Sequence, residues 1–168
     1  MNSSSEFLKA SCIAHLKESY QKIHTSIDRL TEDETWWRPN GESNSMGNII
    51  LHLCGNITQY ILSSLGGAED HRIRSSEFAD QGPISKQKLL QNLEEIIQSA
   101  CDIIGSLSES DLIKSRSIQC YEKTGVDIII HVTEHLSYHT GQIVYFTKWQ
   151  RAESMGFYDD KALEKKSI

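Results

Sequence analysis

Apolar side chains recur at steps of three and four in four separate stretches of this chain, and only two prolines are present to interrupt them. That period matches the 3.6-residue turn of an α-helix, on which such residues line up as one buried stripe. The first stretch carries Ile13, Leu16, Tyr20, Ile23, Ile27 and Leu30. A polar run with a tryptophan pair, "TEDETWWRPNGESNS", then breaks the period. Pro39 and Gly41 supply turn chemistry there, and Asn44 or Ser45 is the expected cap of the next helix. That helix is predicted from about residue 45 to 65, with Ile49, Leu53, Ile57 and Ile61 on its apolar side and Gly66-Gly67 as its stop.

Residues 68–83 read as a long connection, after which Ser85 opens a third helix with Leu89, Leu93, Ile96, Ile97, Ala100, Ile103, Ile104 and Leu107. Residues 108–124 read as a second irregular connection. "TGVD" at 124–127 has the form of a capping box placed before an apolar run, so a fourth helix is expected from there to about Trp149. No strand alternation of convincing length and no internal repeat is present. Four helices of about 20 residues joined by longish connections predict an all-α four-helix bundle, a fold that builds its sites from side chains on facing helices. A chain of 168 residues with 38% hydrophobic content supports one core and one domain, spanning 1–168.

The net charge of −6 comes from acidic and basic residues mixed along the chain, with no lysine or arginine block to track phosphates, so no nucleic-acid partner is expected. The start, "MNSSSEFLKASC", has neither a basic nor an apolar signal region, and no apolar run approaches the ~18–20 residues a bilayer demands. No membrane association is expected and a cytoplasmic location is. Cys12, Cys54, Cys101 and Cys120 contain no C-x-x-C pair and read as reduced thiols, three of them inside predicted helices where cysteine packs as a small core residue.

The chemistry concentrates in "HVTEHLSYHTGQI", residues 131–143, with His131, His135 and His139 at steps of four. A helix advances about 100° per residue, so histidines four apart differ by about 40° around the axis and about 6 Å along it, close enough to share a metal. With Ile128 at zero, Val132, Leu136, Ile143 and Phe146 fall at about 40°, 80°, 60° and 0°, while His139 and His135 fall at about 20° and −20°. His131, at about −60°, lies at the polar edge beside Tyr138 and Gln142. Two inward imidazoles satisfy each other best by donating lone pairs to one cation. His52, on the flank of the Ile49/Leu53 stripe, is the candidate third ligand. Three imidazoles leave coordination positions open, as in catalytic rather than structural sites.

His131 to His135 also spells H-x-x-E-H, a zinc-protease pattern in which Glu134 would be the base. That reading leaves His139 unexplained, demands a distant third ligand and a cleft domain, and puts Glu134 on a face turned away from the core. It is set aside. His15, His24 and His71 have no partner at ligand spacing.

With a histidine early in helix two ("NIILHLCGNI"), a late His-x-x-x-His followed by Gly-Gln ("EHLSYHTGQI") and the loop "WWRPNGESNSMGN" before the first of them, the chain resembles the DinB-like (YfiT-like) superfamily of metal-binding four-helix bundles over nearly its whole length. By motif position the resemblance implies His52, His135 and His139 as metal ligands and excludes His131. It also implies similarity to transferases or isomerases that use low-molecular-weight thiols such as bacillithiol, mycothiol or glutathione.

A divalent cation held by neutral imidazoles, zinc or nickel by ligand type, lowers the pKa of a bound thiol or water. The preferred reading is a metal-dependent thiol S-transferase acting on small electrophiles. The alternatives are a non-enzymatic, stress-associated metal-binding protein and a metal-dependent hydrolase. Tyr138 and Gln142 are candidates to orient a ligand imidazole or a substrate. Arg72 and Arg74 are candidates to meet the carboxylates of a thiol cofactor. Trp36 and Trp37 are expected to cover the bundle end, and pairing through exposed apolar helix faces makes a homodimer compatible with the pattern.

Overall fold

The computed structural model describes residues 3–165. Its elements run α1 (Ser4–Asp28), α2 (Glu32–Trp36), α3 (Met46–Ile57), a π-helical continuation over Thr58–Ser63, α4 (Arg74–Ala79), α5 (Lys86–Ser106), α6 (Glu109–Ile113), β1 (Ser115–Ile118), β2 (Tyr121–Thr124), α7 (Gly125–Arg151) and α8 (Asp160–Leu163). The four predicted helices are α1, α3 with its π continuation, α5 and α7. Each buries the stripe its period demands: Leu16, Ile23 and Ile27 on α1, Ile50, Leu53 and Ile57 on α3, Leu89, Leu93 and Ile104 on α5, and Ile128, Leu136 and Ile143 on α7. α1 packs on α5 and α7, and α3 packs on the same two helices, so α1 lies diagonally across the bundle from α3. The core fills the space between them. Among the described residues no helix is long and apolar enough to cross a membrane.

Helix starts follow side-chain chemistry. Ser45 with Asn48, and Thr124 with Asp127, form reciprocal capping boxes at α3 and α7, and Ser85 caps α5 by accepting from the Lys88 amide. Ser45 is thus the cap chosen from the pair Asn44 and Ser45.

The two connections are more structured than their sequence suggests, which corrects the expectation of no strand. Residues 115–124 form an antiparallel hairpin with Ser115 opposite Thr124 and Ile118 opposite Tyr121, and Gln119 takes positive φ at its turn. At four residues each, its strands are too short for alternation to stand out. α2, α4 and α6, at five or six residues, are likewise shorter than two helical turns and show no period.

Trp36 is half-buried, its ring faces Gly47 and Gly82, where a Cβ would stand 2.9 Å from it, and its Nε1 donates to the Ile84 carbonyl at 2.9 Å. Trp37 stacks on Trp149 of α7 with ring centroids 5.7 Å apart.

Candidate metal centre

His52 lies on α3 two turns beyond the Ser45 cap, and His135 and His139 lie one turn apart on the facing stretch of α7. Their rings converge. Nε2 of His135 is 3.2 Å from Nε2 of His52 and 3.2 Å from Nε2 of His139. The three offer one nitrogen each, all within 4.8 Å of one another, and they form the only such ligand cluster found among the described residues.

The groups behind two of the rings fix their tautomers. Nδ1 of His52 is 2.9 Å from Oε2 of Glu77, a carboxylate that can only accept, so Nδ1 carries the proton and Nε2 presents a lone pair. Nδ1 of His139 is 2.7 Å from Oε1 of Gln142, so its Nε2 is a lone pair as well. Two lone pairs therefore aim at the same point as Nε2 of His135, whose own Nδ1 is buried without a hydrogen-bond partner. Imidazoles at about 2.0–2.1 Å from one tetrahedral ion hold their nitrogens about 3.3 Å apart. The spacing and the donor set fit a divalent metal ion.

Burial disfavours the charged form of all three rings. Desolvation, reinforced by the neighbouring His139 and His52, pushes His135 down to about 3. Desolvation also lowers His52 against the opposing pull of Glu77, and lowers His139 against its bond to Gln142. Three neutral imidazoles at neutral pH are the state a cation requires.

Glu77, which periodicity does not reveal, is placed by a chain of polar contacts. Asn48 donates through Nδ2 to the carbonyls of Glu77 and Asp80 at 2.9 and 2.8 Å. Arg38 donates to Oδ1 of Asn48 and to the Phe78 carbonyl. These bonds staple α4 to α3 and bring Glu77 against His52. Arg72 then meets the buried carboxylate, donating from Nε to Oε1 at 2.7 Å and from Nη2 to Oε2 at 3.0 Å, and from Nη1 to Gln59 at 2.9 Å. Nη2 also lies 3.2 Å from Nδ1 of His52. Both nitrogens are donors, so that approach is not a hydrogen bond, and Oε2 accepts from each. Gly55 faces this pair, and any Cβ there would collide with Oε1 of Glu77. The spacing of Asn48, His52 and Gly55 along one helix face is the sequence signal for this cradle, but only for a reader who already knows what packs there.

The remaining candidates are dispersed around the cluster. Gln142 contacts His139 directly, and Tyr138 is exposed with its ring edge-on to His139 at a centroid distance of 5.0 Å. Arg72 is turned inward on Glu77, while Arg74 is exposed with its guanidinium 4.9 Å from the Phe78 ring centre. His131 is half-buried and lies outside the cluster, its ring tilted against that of Tyr60 with centroids 4.6 Å apart. Glu134, His15, His24 and His71 are exposed.

The family model described as "Protein of unknown function (DUF1572)" matches residues 2–157. A DinB-like protein, YjoA, from Bacillus subtilis has a similar solved structure, with a TM-score of 0.63 and 14% identity over 86% of this chain and 94% of that one. A conserved protein from Enterococcus faecalis is similar at a TM-score of 0.70 and 14% identity, over 86% of this chain and 97% of its own. The comparison with curated proteins found no match. At such identities the likeness concerns the fold, which is DinB-like and all-α.

Proposed function

The chain belongs to the DUF1572 family and has the DinB-like fold, and from that premise we propose that it is a divalent-metal protein that transfers a low-molecular-weight thiol to small electrophiles. The observation that carries this reading is the convergence of the Nε2 atoms of His52, His135 and His139, two of them fixed as lone-pair donors by Glu77 and Gln142. Zinc or nickel suits three imidazoles. When bound, such an ion would supply a Lewis-acid centre that holds a thiol deprotonated near neutral pH.

Around it the chain's own groups position and shield. Glu77, neutralised by Arg72, holds the His52 ring; Gln142 holds His139; Phe78 covers one face of His52 with ring centroids 4.9 Å apart. A thiol is favoured over water as the nucleophile because Glu77, the carboxylate in contact with the cluster, sits at Nδ1 of His52, the edge of the ring opposite the converging Nε2. From there it is out of reach of a proton on a group in front of the nitrogens. A thiol, with a pKa near 8.5, needs a far smaller shift than water and no base. The four free cysteines, three of them buried, agree with a reducing, cytoplasmic setting.

The test is metal content of untagged protein beside its His52→Ala, His135→Ala, His139→Ala and His131→Ala variants, followed by incubation of the loaded protein with small thiols and monochlorobimane. The first three variants are expected to lose the metal and the adduct-forming activity, and His131→Ala to keep the metal. Metal retained by His139→Ala and lost by His131→Ala would overturn the ligand set. Loaded protein that forms no adduct with any of several thiols would leave a metal-binding protein without this activity.

A further inference from the structure

One face of α7 carries an exposed aromatic stripe that the metal centre does not use. Tyr138, Tyr145 and Trp149 follow one another at steps of seven and four, with Gln142 between them, and are 64%, 74% and 58% exposed. Large apolar side chains clustered in water on one face mark a binding surface. The stripe is one wall of a groove of about 590 Å³, within the range that accepts a small organic molecule. Pro39, Met46, Ile49 and Phe78 contribute the facing apolar surface, and His139 lines the groove where it meets the metal centre. The wall is braced: Trp37 stacks on Trp149 at 5.7 Å and packs tilted against Phe146 at 5.9 Å.

The charge of the groove is equally specific. Among the described residues Glu42 is the only charged one lining it; the other polar residues of the lining are Ser43, Asn44, His139, Gln142 and the two tyrosines. Arg72, the cation nearest the histidines, is held by Glu77 outside the lining. Among the described side chains that line the groove, an anion meets one carboxylate and no cation, and the positive charge at the inner end would be that of the metal ion.

We propose that this groove binds a small molecule built on a flat aromatic ring system whose body, lying along the groove, carries no negative charge, with its reactive end at His139. The proposal deepens the reading of the histidine cluster as a metal centre and rests on it only for what stands at the inner end.

The probes are 2-naphthylmethanol, 2-naphthylmethylamine and 2-naphthoate, titrated calorimetrically into the full-length protein with and without zinc, with metal content measured on the same samples. In the zinc-free protein the alcohol and the amine are expected to bind and the carboxylate to bind about tenfold more weakly. Trp149→Ala should weaken the alcohol by about five- to tenfold while metal content stays unchanged. Glu42→Gln should remove the amine's advantage over the carboxylate and leave the alcohol untouched, a readout that a folding defect does not mimic. Equal binding of all three probes to the zinc-free protein, or undiminished binding by Trp149→Ala, overturns the proposal. So does a dimer that Trp149→Ala dissolves, because the stripe would then be covered by a second copy. Protein that takes up no metal yet binds the alcohol supports the groove and refutes the metal reading, which keeps the two failures apart.

Discussion

A carboxylate buried as deeply as Glu77, 8% exposed, is tolerable only where its charge is met, and Arg72 and His52 share that task. Removing it leaves Arg72 without its anion and His52 free to rotate. Glu77→Ala is therefore expected to weaken zinc binding by about 10–100-fold in a chelator competition, the usual effect of losing a partner behind a ligand histidine. Gly55→Ala should act in the same direction by displacing the same carboxylate. The depressed histidines set a pH dependence. His135 binds a proton at 6.5 when unfolded and at about 3 when folded, so the unfolded chain holds more protons throughout that window. Metal-free protein should thus lose stability as pH falls from about 6.5 toward 3, and a His135→Gln variant should show a flatter urea midpoint over that range. Helical phase alone separates His135 and His139 from His131 in the sequence, because period and residue type suffice for side chains on one helix. Glu77 escapes such a reading: its relation to His52 exists only after α4 has docked.

What holds for single side chains changes at the level of the helix, where the caps and contacts of an element decide its register. α7 carries two of the three histidines, and its start is fixed by the Thr124–Asp127 box and by Gly125, where any Cβ would collide with the backbone of Asp111 and Leu112 in α6. Thr124→Ala is expected to cost about 1 kcal/mol in urea unfolding. Gly125→Ala should cost more, since the obstruction is backbone rather than a side chain that can swing aside. If it proves the milder of the two, α6 does not press on α7 as closely as the structure has it. The same scale explains what the sequence conceals. α1, α3, α5 and α7 announce themselves because a stripe needs several turns to rise above chance. α4 and the 115–124 hairpin stay hidden because each is shorter than its own signal and is held by tertiary contacts, α4 by Asn48 and Arg38 and the hairpin in part by Gln119 reaching Gln59 at 2.9 Å.

Across the whole molecule the histidines tie together two neighbouring helices, α3 and α7, whose sequence positions are more than eighty residues apart. The unfolded chain has no preformed cluster, so a metal ion that binds the native site adds its binding free energy to folding. At a free concentration about a hundred times its Kd, the gain is about 2.7 kcal/mol, and a domain of this size moves its melting temperature by about 2–4 °C per kcal/mol. Zinc should therefore raise the midpoint of thermal unfolding by about 5–10 °C in the untagged protein and in His131→Ala, and a chelator should reverse it. His52→Ala should respond least, because it removes the only ligand on α3 and leaves a pair confined to a single helix. A shift that survives His52→Ala would mean that the ion sits on α7 alone and that the bundle's closure owes nothing to it.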